Sequence, residues 1–169
     1  MLRPVATFSI LVFLGGCSGR SDGAKSGNSH ASSDSAFAQL QSRGHVAMGV
    51  DQYTSFHVFE PLPNGGRISL QRDADDSAGV EQIRSHMRLI AAAFARGDFA
   101  LPGFVHDQEV PGTRLMTANR SQVRYTMDTL AGGGQVRLES SDSPTVAAIH
   151  DFLAFQRADH QSPAHATTH

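Results

Sequence analysis

The amino-acid sequence predicts an α+β domain made of a duplicated ββα-ββα unit, with a four-stranded antiparallel sheet and two helices on one face. Two observations lead to this prediction. The stretch Glu60–Gly66 aligns without a gap with Asp128–Gly134, and both end in glycines that lie between two alternating apolar runs. Each such pattern, which is typical of a β-hairpin, is followed by an amphipathic helical stripe. Helices packed on one face of a single sheet are the simplest way to bury both stripes.

The first unit begins with strands predicted over Tyr53–Phe59 and Arg67–Arg72, joined by a turn at the Gly65-Gly66 pair. A helix follows, with Asp76 or Ser77 as its N-terminal cap. Gly97 stands just past the end of the helical stripe, where a left-handed residue commonly terminates a helix.

The second unit repeats this order, with strands predicted over Val123–Met127 and Val136–Ser140. Ser143-Pro144 resembles a capping residue followed by a first-turn proline. The two helical stripes and the last strand predict a core, which consists of Val80, Ile83, Met87, Ile90, Phe94, Val136, Leu138, Ile149 and Leu153. The alternative is a chance similarity between two ordinary ββα units.

Strand alternation assigns side chains to the two faces of the predicted sheet. The side chains expected to face the helices are Val123, Tyr125, Met127, His57 and Phe59. Phe56 and Val58 then lie on the opposite face, where apolar residues need a cover. We expect that cover to be either the connecting segment Phe99–Asn119 or a second subunit in a homodimer.

The N-terminus has the pattern of an export signal. Arg3 precedes the apolar run Val5–Leu14, which is too short to span a bilayer as a helix. The following Leu14-Gly15-Gly16-Cys17 resembles the bacterial lipobox, which implies a signal peptide over residues 1–16 and a lipid-modified, palmitate-bearing Cys17. The alternative is a secretory signal with an incidental cysteine.

The rest of the chain divides into three parts by composition. Residues 17–43 are predicted to be a Ser/Gly-rich tether, residues 44–160 the α+β domain and residues 161–169 a disordered tail. The expected location is the cell envelope, with the domain anchored to the membrane by lipid and facing the periplasm or the exterior. Ser18 after the cysteine favours the outer membrane, by resemblance to lipoprotein sorting.

Composition also limits the function. The formal net charge is -2 and the pI about 6.5, so the chain lacks the basic surface that nucleic-acid binding requires. No Gly-x-Ser-x-Gly, His-Glu-x-x-His or P-loop motif is present in the sequence. A non-enzymatic role is therefore favoured over catalysis.

Several short blocks resemble a family of small exported bacterial proteins without an established activity. The blocks are Met48-Gly49-Val50-Asp51-Gln52, His57-Val58-Phe59, Val105-His106-Asp107 and Ile149-His150-Asp151-Phe152-Leu153-Ala154-Phe155-Gln156, with His160 after them. Such relatives often have two adjacent histidines where this chain has Phe56-His57. They are sometimes labelled aspartate carbamoyltransferases, but that enzyme has a Ser-Thr-Arg-Thr phosphate loop, which this sequence lacks.

Histidine is unusually abundant, with nine in the chain. The candidate ligand residues within the domain are His57, His86, His106, His150 and His160. The leading hypothesis is an envelope protein that binds a protein partner or a small ligand. The alternative is a periplasmic protein that binds copper or zinc through these histidines, since imidazole suits both metals. From their predicted directions, the five side chains are not expected to converge.

Overall fold

A computed structural model describes residues 27–49 and 54–162 and confirms the α+β class. The four strands form one antiparallel sheet in the order β1-β2-β4-β3. The elements are α1 (Gly27–Met48), β1 (Ser55–Leu62), β2 (Gly65–Arg72), α2 (Ser77–Ala95), α3 (Ala100–His106), α4 (Thr113–Ala118), β3 (Arg124–Leu130), β4 (Gly133–Glu139) and α5 (Ser143–Asp159). No helix within these ranges is long and apolar enough to cross a membrane.

The register of the sheet agrees with a duplicated unit. When the alignment of the two turns is extended along the strands, Ile68 of β2 corresponds to Val136 of β4, and these two residues are direct partners in the ladder. The two units are therefore related by a pseudo-two-fold axis that passes between β2 and β4.

Each long helix packs mainly on the hairpin of the other unit. Helix α2 contacts β3 and β4, whereas α5 contacts β1 and β2. Two hydrogen bonds at equivalent positions of the helices join each helix to the other unit's hairpin. Arg84 Nη2 of α2 donates to the Leu130 carbonyl at 2.7 Å, and His150 Nε2 of α5 donates to the Leu62 carbonyl at 2.9 Å. Because each helix ties down a turn of the other unit, neither ββα unit is packed independently.

The helix caps are also equivalent. Asp76 accepts a hydrogen bond from the backbone nitrogen of Gly79, and Asp142 accepts one from Thr145. The first cap is one of the two predicted, whereas the second is Asp142 and not Ser143 as predicted, because the carboxylate reaches the free amide three residues ahead. Gly97 has φ 76° immediately after the Arg96 C-cap, which confirms the predicted end of α2.

The predicted core is confirmed, since all nine of its residues are buried. Phe59 and Val123 are also buried, and Tyr125 and Met127 pack against the same core from β3. On the opposite face, Phe56 is 51% exposed but Val58 only 1%. Of the two apolar side chains expected to need a cover on that face, Val58 is therefore covered and Phe56 is not.

The sequence suggested that the glycine pairs form the hairpin turns, but the structure shows that they do not. The two-residue turns are Pro63-Asn64 and Ala131-Gly132, and the glycines begin β2 and β4. A Cβ on Gly65 would lie 2.0 Å from the Leu138 carbonyl oxygen, and one on Gly133 would lie 2.2 Å from that of Leu70. These glycines are needed because β2 and β4 approach closely where they pair.

The connecting segment Phe99–Asn119 does not cover the outward face of the sheet. It forms α3, which packs against α1, and α4, which packs against α5. Val110 and Met116 from this segment are buried in the same core as the two long helices. The segment therefore completes the helical layer, because its apolar residues find partners there.

Part of the predicted tether is helical, since α1 covers residues 27–48. Phe37, Leu40, Gly44 and Met48 recur at helical spacing, and the last three are buried. The prediction of flexible chain as far as residue 43 is corrected by this stripe, whose packing offsets the poor helix propensity of the Ser/Gly-rich part. The signal peptide with Cys17, the tether up to residue 26 and the tail from residue 163 lie outside the described residues.

We predict that Gly133→Ala lowers the free energy of unfolding by about 1–3 kcal/mol, because the added Cβ meets backbone in the β2–β4 ladder. Urea unfolding of both proteins measures the difference. Gly103→Ala in α3 is the control, since its Cβ would meet only the carbonyl oxygen of Gln108, at 3.6 Å. Equal stability of the two variants would contradict the close approach of these strands.

Candidate functional site

Four of the five candidate histidines line one cavity. His57 comes from β1, His86 from α2, His106 from the last residue of α3 and His160 from the C-cap of α5. This grouping was not foreseen from the predicted directions of the side chains. It arises because α3 supplies His106, and because α5 packs over β1 and carries His160 to His57. His150 lies apart, bonded to the Leu62 carbonyl.

The cavity has a volume of about 70 Å³, and the rest of its lining is almost entirely apolar. Helix α1 closes one side with Gly44, Ala47 and Met48, and Met87 and Phe94 of α2 contribute further apolar surface. The described lining residues include no Ser, Thr, Cys, Asp or Glu. The imidazoles and the Gln156 amide are therefore the main polar side-chain groups in the cavity wall.

Three of the imidazoles form a row. The ring centroid of His160 lies 5.0 Å from that of His57 and 5.1 Å from that of His106. His57 also stacks on Phe59, with centroids 5.4 Å apart and an interplanar angle of 7°. His160 is thus the middle member of a row that runs from the sheet to α3.

His106 is held rigidly from both ring nitrogens. Nδ1 lies 2.5 Å from Asp159 Oδ2, and Nε2 lies 2.8 Å from the side-chain oxygen of Gln156. The edge of Phe155 packs at a centroid distance of 5.0 Å. The orienting carboxylate is Asp159 on α5 and not the adjacent Asp107, which is exposed with φ 55° at the end of α3.

The ring nitrogens of His57, His86 and His160 are available for further hydrogen bonds. Among the described residues, no hydrogen bond is formed by the rings of His57, His86 or His160. Burial lowers the pKa of His86 to about 4, and burial with the nearby His106 lowers that of His160 to about 4. Burial and the surrounding His160, His86 and His106 hold the pKa of His57 well below its usual value. At neutral pH these three imidazoles are uncharged.

The other unit carries different side chains at the equivalent positions. By the pseudo-two-fold relation, His57 corresponds to Tyr125, His160 to Phe94 and His86 to Phe152. Phe94 lies 6.1 Å from Tyr125 and 5.9 Å from Phe152 between ring centroids, and Phe99 stacks on it at 4.5 Å. Aromatic side chains thus fill the positions that imidazoles occupy around the cavity.

The sequence analysis missed the hydrogen bonds of Gln156 and Asp159 to His106, and it missed that α1 forms part of the cavity wall. Gln156 and Asp159 follow the helical stripe of α5 towards His160, and this spacing could have placed them on one side of that helix. Within the described residues, no three His, Cys, Asp or Glu side chains are positioned to hold a metal ion.

Comparisons with protein-family models, with curated proteins and with solved structures gave no match.

We predict that the protein loses stability as the pH falls from 7 to 4. The pKa values of His57, His86 and His160 are lowered in the folded state, so in this range these side chains are protonated in the unfolded chain but not in the folded one. Because the unfolded state binds more protons, it is favoured as the pH falls. For His86 and His160 we expect about 1–2 kcal/mol each, less than the full shift since water reaches part of each ring.

Urea unfolding at a series of pH values measures this loss. His86→Phe, which copies the residue type of Phe152, should reduce the slope of stability against pH. The exposed Leu89→Ala on the same helix is the control and should leave the slope unchanged. A stability that stays constant from pH 7 to pH 4 would show that these imidazoles are not shielded from protons.

Proposed function

We propose that this protein binds a small ligand in the histidine-lined cavity and is held at the cell envelope by a lipid on Cys17. One observation carries the binding proposal: three uncharged imidazoles that have no hydrogen-bond partner among the described residues face an apolar cavity, at positions where the other unit has aromatic side chains. Unsatisfied polar groups in a largely apolar cavity are typical of ligand sites, where they orient the bound molecule.

Binding explains the site better than catalysis does. The described cavity lining has no hydroxyl, thiol or carboxylate that could act as a nucleophile or share a proton directly with a substrate. Asp159 reaches the cavity only through His106. A rigid His106 and three unpaired imidazoles supply donors and acceptors for recognition, and the apolar wall supplies the contact surface.

We predict that filling the cavity abolishes binding. Ala47→Leu adds bulk to the part of the wall that α1 contributes, without changing a histidine. Probes of the cavity are phenol and butan-1-ol, followed by the NMR shifts of ¹³C-labelled histidine rings. In the unaltered protein the shifts of His57, His86 and His160 should move and that of His150 should not.

We expect Ala47→Leu to weaken the binding of both probes at least about tenfold. The larger side chain would occupy space in the cavity that the probe needs, and such overpacking is unfavourable. Ala92→Leu, on the exposed side of α2, is the matched control and should bind as before. Shifts that are spread over the surface, or that persist in Ala47→Leu, would contradict a ligand site in this cavity.

A copper or zinc site remains a second candidate. It is favoured by the three unpaired imidazoles and by Met48 and Met87, since nitrogen and thioether ligands suit copper. The side chains would have to move closer together on metal binding, because no three His, Cys, Asp or Glu side chains of the described residues surround one point. Titration of the full chain with zinc and copper tests this, and a metal site requires stoichiometric binding that His57→Ala abolishes and His150→Ala retains.

The proposed membrane anchor rests on Leu14-Gly15-Gly16-Cys17. We predict that Cys17→Ala prevents metabolic labelling with a fatty acid and leaves an uncleaved or soluble precursor, because only the thiol accepts the lipid. Stable attachment requires more than one acyl chain. Labelling that continues in Cys17→Ala would contradict the anchor, and fractionation of the membranes would test the outer-membrane location that Ser18 favours.

A further inference from the structure

We infer that the ligand of the cavity is a small weak acid with a short apolar body, bound as its carboxylate anion against an imidazole that is protonated on binding. This inference rests on the proposed function and names its ligand class. Three features support it: the unpaired imidazoles, the signs of the charges around the cavity and its volume.

The first feature is the set of free ring nitrogens. His106 already uses both nitrogens, at 2.5 Å from Asp159 and 2.8 Å from Gln156. His57, His86 and His160 make no hydrogen bond within the described parts of the chain and are therefore available to a ligand. Each offers one donor and one acceptor when neutral, and two donors when protonated. Two donors suit a carboxylate, which only accepts.

The second feature is the charge distribution. The described lining contains no carboxylate, so a cationic ligand would lack a counter-charge. Arg43 of α1 donates to the carbonyl of Val105 at 2.7 Å, and Arg157 of α5 donates to that of Phe59 at 3.3 Å. Val105 and Phe59 both line the cavity, so two guanidinium groups are hydrogen-bonded to the backbone of lining residues.

Among the described residues, the acidic group next to the row of imidazoles is Asp159, whose carboxylate is paired with His106. From the remaining packed elements, β1 contributes His57 and α2 contributes His86, while the charges of Glu81 and Arg88 on α2 pair with each other in solvent. The described unpaired groups that face the cavity are therefore neutral or able to become positive. A bound anion would supply a negative charge next to them.

The proton balance of the binding step is simple. Burial keeps the three imidazoles unprotonated, and neighbouring histidines add to this at His57 and His160. A carboxylic acid that enters transfers its proton from the carboxyl oxygen to a ring nitrogen: the O–H bond breaks, an N–H bond forms, and the pair stays neutral overall. The transfer is favoured because the carboxylate that it creates lies against the imidazole and raises the pKa of that ring. An entering carboxylate anion requires the uptake of one proton from solvent instead.

The third feature is size. A volume of about 70 Å³ holds roughly five to seven water-sized groups, if each takes about 10–15 Å³. The ligand is thus about as large as butyrate. Its alkyl part would contact apolar residues such as Met87 and Ile90, and its carboxylate would face the imidazoles.

Three probes of one size and different charge test this inference on the full lipidated chain in detergent: butyrate, butan-1-ol and butylamine. Calorimetric titrations are made between pH 5.5 and pH 8, in buffers with different ionisation enthalpies. Butyrate affinity should rise about tenfold for each pH unit lowered, because one proton is taken up per anion bound. Butan-1-ol should bind independently of pH, and butylamine should bind more weakly than either.

Variants identify the proton acceptor. His57→Gln, His86→Gln and His160→Gln are made one at a time, since glutamine keeps a polar side chain but does not titrate. One of them should lose most of the pH dependence for butyrate while it still binds butan-1-ol. His150→Gln lies outside the cavity and is the control, with both affinities unchanged.

The outcomes separate this inference from the proposed function. Butyrate binding without a pH slope and without proton uptake, or a preference for butylamine, would overturn the weak-acid inference and leave the ligand cavity intact. Failure of all three probes to bind, butan-1-ol included, would contradict the ligand cavity itself.

Discussion

The close pairing of β2 with β4 is the constraint on which the rest of the structure depends. Gly65 and Gly133 let the two central strands approach without a side chain between them. An added Cβ would lie at nearly the same distance from a carbonyl oxygen at both sites, that of Leu138 for Gly65 and that of Leu70 for Gly133. Because this pairing relates the two units by a pseudo-two-fold axis, each helix comes to lie over the other unit's hairpin. The cavity follows from that exchange, since α5 reaches His57 only by crossing onto β1.

The two units differ in the chemistry of equivalent positions. Around Phe94 the rings of Phe99, Tyr125 and Phe152 pack into an aromatic cluster, which contributes through apolar burial and edge-to-face contacts. The Tyr125 hydroxyl in this cluster is buried without a hydrogen-bond partner among the described residues, so both equivalent places bury a polar group. Around His160 the equivalent positions carry imidazoles, and these line the cavity. We regard ligand recognition as the reason for the imidazoles.

The elements outside the duplicated units shape the cavity. Helix α3 brings His106 against α5, where Asp159 and Gln156 hold it in one orientation. Helix α1 packs against α3 and α2, and its Gly44, Ala47 and Met48 close the remaining side. A sheet with only α2 and α5 on it would leave His57 and His86 open to water, and their pKa values would then lie nearer to those of free histidine.

The sequence alone determined the fold class, the duplication, the end of α2 at Gly97 and the whole predicted core, because turns and apolar periodicity are local signals. It could not place the cavity. His57 and His160 are far apart in the chain and meet only through the crossing of α5 onto β1, and the partner of His106 is Asp159 and not its neighbour Asp107. It also led to a tether where α1 forms, since composition over residues 17–43 hid a short apolar stripe. Contacts between distant elements depend on how the elements pack, and no local pattern records that packing.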